Sequence, residues 1–129
     1  MIAVDTNILV RFLTGDDKHQ FKKALALFKS YDVFIPDTVI LESEWVLRYA
    51  YRFPPNAICR AFTNLFGLSN VHVTNPTLIT QAIQWHEQGL DFADALHLAL
   101  SQQYDQFFTF DSKLILKAKG LCKCSVLRP

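Results

Sequence analysis

Five short apolar runs, spaced by stretches with helical periodicity, constrain this chain more than any other feature. The runs are Met1-Ile2-Ala3-Val4, Val33-Phe34-Ile35, Asn70 to Val73, Gln106 to Phe110 and Cys124 to Leu127. Each reads as a strand, the first buried and the last at a sheet edge, and Asp5, Pro36 and Asp111 end three of them. Between them lie Ile8 to Leu13, a stretch opened by Asp16-Asp17 with its stripe at Phe21, Leu25 and Phe28, and a helix from Thr38 to about Tyr51. The stripe Ile58, Phe62, Leu65 and Phe66 follows, then helices to about Glu87, from Phe92 to Gln103, and from Asp111-Ser112 to Gly120. Strands alternating with helices imply right-handed crossovers and an α/β fold with a mostly parallel sheet covered on both faces. At 129 residues, without a repeat, linker or low-complexity segment, the expectation is a single domain over 1–129.

Composition narrows the function classes. Half the residues are hydrophobic and eleven are Phe, which suits a packed core rather than disorder. Three cysteines, Cys59, Cys122 and Cys124, without a C-x-x-C pair, fit a reduced, cytoplasmic protein. Residues 1–13 carry Asp5, Asn7 and Arg11 and make a poor signal peptide, and no uncharged apolar run approaches the ~20 residues that span a bilayer, since the charge-free stretch Ala61 to His86 is broken by Asn64, Gly67, Asn70, Asn75 and Pro76. The formal charge is +1. Setting four particular acids aside leaves thirteen bases against eight acids, a mild surplus suited to a phosphate-rich partner.

Those four acids are Asp5, Glu42, Asp94 and Asp111, and each adjoins apolar sequence. A carboxylate at the edge of a core costs several kcal/mol, on the order of magnitude set by desolvation, unless it is paired or holds a metal. No basic residue lies within four positions of Asp5 or Glu42. Asp5 and Asp111 follow strands, at the carboxyl ends where α/β sheets bind ligands. A helix cap and a metal ligand are equally good readings of either alone, although Thr6 or Asn7 could cap in place of Asp5, and Ser112 in place of Asp111. Glu44 has Arg48 one turn on and reads as a surface i,i+4 pair, whereas Glu42 has no such partner. Asp91 reads as the cap of its helix, which leaves Asp94 as the acid that needs a reason.

Other chemistries find no support. His19, His72, His86 and His97 lack zinc-site spacing. There is no phosphate-binding glycine loop, and no serine sits in a nucleophile elbow.

The ordered set Asp5-Thr6-Asn7, Glu42, Asp94 and Thr109-Phe110-Asp111 resembles the PIN-domain family of metal-dependent ribonucleases. The stretches Ile40 to Arg48 and Asp91 to Ala99 look like its VapC-type toxin branch, and the similarity covers essentially the whole chain. The resemblance implies a three-layer α/β/α sandwich, the four acids converging at one end, and an endoribonuclease acting as the toxin of a type II toxin–antitoxin pair. It further implies a homodimer and a cognate VapB-like antitoxin. Asp5, Glu42, Asp94 and Asp111 are carried over as catalytic and metal-site residues, with Asn7, Asp91 and Thr109 in support.

An all-carboxylate site suits Mg2+, or Mn2+ with the same ligands. Either one ion or two about 4 Å apart would serve phosphodiester hydrolysis. Arg11, Lys113 and Lys117 are expected to hold the RNA backbone, and Ile58, Phe62 and Phe66 form a stripe that would line an antitoxin groove or belong to the core. Two rivals stand beside this reading. A phosphatase with Asp5 as nucleophile is disfavoured, because the position two residues on is Asn7, which cannot act as general acid. A binding module without turnover would be expected to have lost one of the acids, and none is lost.

Overall fold

Each apolar run becomes a strand shorter than the run itself. In the computed structural model, which describes Met1–Pro129, β1 is Ile2–Ala3, β2 Val33–Phe34 and β3 Val71–His72. All three are parallel, in the order β1-β2-β3, with Ile2 opposite Val33 and Val33 opposite Val71. The ladder runs slightly past these bounds, since Val4 N–H donates to Phe34 (3.3 Å) and Ile35 N–H to His72 (2.9 Å). Asp5 and Pro36 then turn the chain into helices. These elements lie in one compact unit, Met1–Pro76, and a second unit runs over Thr77–Pro129.

In the first unit, α1 is Thr6–Thr14 and α2 Lys18–Ser30. Gly15 ends α1 at φ +62°, a left-handed conformation that a side chain would strain. The corner is locked by Arg11, which donates to both Asp16 oxygens (2.9 and 2.7 Å), to Gln20 (2.7 Å) and to the Tyr51 hydroxyl (2.9 Å). Phe12 stacks on Phe28 with ring centroids 3.9 Å apart. The Asn70 amide then donates to the carbonyls of Phe28 (2.6 Å) and Tyr31 (3.0 Å), joining the end of α2 to the start of β3. α3 is Asp37–Tyr49 and ends two residues before the expected Tyr51, because Arg52 is left-handed ahead of Phe53-Pro54. α4, Pro55–Phe66, opens on a proline in its first turn. Ile58 and Phe62, considered as groove lining, are core residues, fully buried with Leu47 and Ile40.

Glu44 corrects a sequence expectation. It is a buried residue, 1 % exposed, not a surface one. The pairing itself is as expected: Arg48 Nε donates to Oε2 (2.8 Å) and Nη2 to Oε1 (3.1 Å). Its neighbours on the helix face, Ile40, Ser43 and Leu47, are inaccessible, so the i,i+4 partner is the chief compensation for a desolvated charge.

The second unit holds α5 (Pro76–Glu87, which begins at the boundary), α6 (Phe92–Leu100), β4 (Gln106–Phe108), α7 (Ser112–Ala118) and β5 (Ser125–Leu127). β4 and β5 pair in parallel, with Phe107 opposite Val126, so every strand pairing in the chain is parallel. α6 stops three residues short of Gln103, because the Ser101 hydroxyl (2.7 Å) and the Gln102 amide (2.8 Å) take the carbonyls of His97 and Leu98. All three cysteines are free, and burial beside Cys124 pushes the Cys122 thiol up to about 11. No helix is long and apolar enough to cross a membrane.

The buried pair yields a test. Glu44→Gln should destabilise the protein by about 2 kcal/mol in urea unfolding, well above the few tenths of an exposed i,i+4 pair, because the charge-assisted bonds it removes lie at a desolvated carboxylate.

Candidate active site

Asp5 leaves β1 in an extended conformation and caps α1, its Oδ1 accepting from the Ile8 N–H at 3.2 Å. The expectation that Thr6 or Asn7 would cap instead is not met. Thr6 is already helical and buried, and its hydroxyl donates to Glu42 Oε1. The residue after one candidate acid therefore holds the second, across from α1 to α3. Asp5 and Glu42 each keep one carboxylate oxygen without a hydrogen-bond partner, and neither makes an ion pair. Asn7 is exposed beside them.

A cavity of about 660 Å³ opens at this point, with Asp5, Asn7, Ile8 and Arg11 on one side and His19 and Lys23 of α2 on the other. Arg11, one of the cations expected to hold RNA, lines this cavity and is already paired within the fold. Its guanidinium is engaged by Asp16, and that bond raises its pKa. Asp16 is lowered to about 2, chiefly by the Tyr51 hydroxyl, which donates at 2.6 Å.

In the second unit, Asp91 caps α6 and accepts from the Asp94 N–H at 3.4 Å. Asp94, one turn in, is half-buried and accepts no hydrogen bond. Burial pushes its carboxyl above the usual range, and the like charges of Asp91 and Asp111 push it further, against smaller opposing effects of His97 and Lys117. Asp111 caps α7, its Oδ1 accepting from the N–H groups of Lys113 (3.0 Å) and Leu114 (3.2 Å). The Thr109 hydroxyl accepts from the Asp111 N–H (3.0 Å) and shapes that turn. Lys117 donates to the Gly89 carbonyl (3.1 Å), while Lys113 is exposed.

The desolvation argument from sequence thus holds for Asp94 alone, since Asp5, Glu42 and Asp111 are exposed. The buried acid that sequence reasoning placed on the surface is Glu44. Each unit gathers part of the set: Asp5 with Glu42 through Thr6 in the first, and Asp94 with Asp91 and Asp111 in the second. Neither unit by itself draws three His, Cys, Asp or Glu side chains into a ligating group. The donor chemistry nonetheless fits a hard divalent cation. All four are carboxylates without a cationic partner, and Asp94 carries a repulsion that a cation relieves.

Comparison with curated proteins gives no match. Among solved structures, VapC20 of Mycobacterium tuberculosis, described as a sarcin-ricin-loop-cleaving toxin, is similar to this chain at 22 % identity over 100 % of both chains. Its TM-score is 0.44, too loose a likeness to argue from. The decisive match is to a family: residues 2–120 fit the PIN domain profile, a span that includes all four acids. The expected α/β class, helices with parallel strands, is therefore the PIN fold, and the chain belongs to the PIN-domain family.

Proposed function

We propose that this chain is a metal-dependent endoribonuclease working as one domain over 1–129, with Asp5, Glu42, Asp94 and Asp111 as its metal-site residues. One observation carries the reading. The family match spans four carboxylates that make no ion pair, one of them the half-buried Asp94, and the two acids held by arginine, Asp16 and Glu44, lie outside the set. Mg2+ or Mn2+ bound by such oxygens supplies Lewis-acid polarisation of a phosphoryl oxygen and a more acidic attacking water.

The chain's own residues do the positioning. The Ile8 N–H fixes Asp5, the Thr6 hydroxyl fixes Glu42, and two backbone N–H groups fix Asp111, so three acids are oriented before any ligand arrives. Lys113 is the exposed cation next to Asp111 and is suited to a backbone phosphate. The same reading extends to the biological setting of a VapC-type toxin, with a homodimer and a VapB-like antitoxin that occludes the acids. An inhibitor Arg placed against them would satisfy two carboxylate oxygens at once. Expressing the wild type alone should then arrest growth, and Asp5→Asn should relieve the arrest.

Because Asp5 and Asp111 are both caps, two substitutions separate chemistry from folding. Asparagine caps as well as aspartate, so Asp5→Asn and Asp111→Asn should fold normally by circular dichroism and lose RNA cleavage, whereas Asp5→Ala should lose about 1 kcal/mol of stability as well. Wild-type cleavage should require Mg2+ or Mn2+ and stop with EDTA. Cleavage that survives Asp5→Asn and EDTA would overturn the proposal.

Asp94 gives a pH test. Its carboxyl is raised in the folded state, so folding binds a proton and ionisation costs stability as pH rises through the raised value. Asp94→Asn should therefore be more stable than wild type in metal-free urea unfolding at about pH 7, and the advantage should fade towards about pH 3, where the carboxyl is protonated folded or unfolded.

A further inference from the structure

The exposed face of α3 carries two aromatic rings that its fold does not use. Trp45 is 55 % and Tyr49 57 % exposed, although large aromatics are ordinarily drawn inside. Their rings meet at 5.0 Å between centroids, tilted by 46°. The Arg48 guanidinium lies over the Tyr49 ring at 4.7 Å while Glu44 holds its Nε and Nη2. A buried carboxylate thus fixes an arginine, the arginine braces a tyrosine, and the tyrosine abuts a tryptophan.

The same stripe of the helix carries Glu42. Residues 42, 45 and 49 stand at i, i+3 and i+7, and all three are exposed. At helical rise the two rings lie about 4.5 and about 10.5 Å along the axis from Glu42. That distance is about one to three nucleotides of a strand whose phosphate is at Glu42.

We propose that Trp45 and Tyr49 form a stacking platform for unpaired RNA bases next to the cleaved phosphate. The inference rests on the ribonuclease reading and adds where the bases are held. Aromatic faces stack on any base, and an adjoining arginine adds a cationic contribution. A protein partner on the same rings is the rival occupant, and RNA is favoured because Glu42 shares their stripe of the helix.

The two tryptophans make the test direct, since Trp85 is buried and Trp45 reports on the platform. A short single-stranded oligoribonucleotide, titrated with EDTA present so that nothing is cleaved, should quench wild-type emission. By fluorescence anisotropy of labelled RNA, Trp45→Ala and Tyr49→Ala should each bind roughly tenfold more weakly, and Tyr49→Phe should retain most of the affinity. An oligonucleotide of the same length without bases should be indifferent to all three substitutions. Unchanged RNA affinity in Trp45→Ala, or a shift from dimer to monomer with RNA affinity intact, would overturn the platform and leave the nuclease reading standing. A wild-type protein that neither binds nor cleaves RNA would overturn both.

Discussion

The rotation of α3 depends on one buried charge. Glu44 sits among residues inaccessible to solvent, and the guanidinium of Arg48 is what makes that tolerable. With Ile40, Ser43 and Leu47 on the same inward face, the helix can turn only one way without leaving a carboxylate unpaired in the core. Glu42 is consequently outward, where the Thr6 hydroxyl reaches it, and Trp45 and Tyr49 are outward with it. A structural ion pair thereby decides where a candidate metal ligand points.

Much of the fold was legible because its signals are local. Apolar runs bounded by Asp5, Pro36 and Asp111 marked the strand ends, and Asp17, Asp91, Gly15 and Gly89 marked helix ends through capping chemistry that acts within a few residues. The misjudged boundaries have non-local or side-chain causes. α6 ends early because Ser101 and Gln102 compete for its last carbonyls, and α3 ends early because the chain prepares for Pro54. The Asn70 amide that closes α2 is about forty residues away in sequence, outside any window of periodicity.

The four acids were found by pattern, and their surroundings were not. Sequence placed all four at the edge of the core and treated their charge as the anomaly, yet Asp5, Glu42 and Asp111 are exposed and Asp94 is half-buried, where burial and like charges raise its carboxyl. Burial could not be read from spacing for Glu42 and Glu44, which sit two residues apart on one helix and face opposite ways. An i,i+4 arginine marks a pair without telling whether it is wet or dry. Arg11 shows the same blindness: position suggested a ligand for phosphate and gave no sign that Asp16, Gln20 and Tyr51 make it the clasp of the α1–α2 corner.

Capping by Asp5 has a consequence for how many oxygens the acid can offer a ligand. One carboxylate oxygen is already spent on a backbone N–H, and Asp111 is in the same position, with two N–H groups on a single oxygen. Each acid therefore offers its second oxygen freely and its first only beside a hydrogen bond. The turns that start two helices thus also set the denticity of the carboxylates at their head.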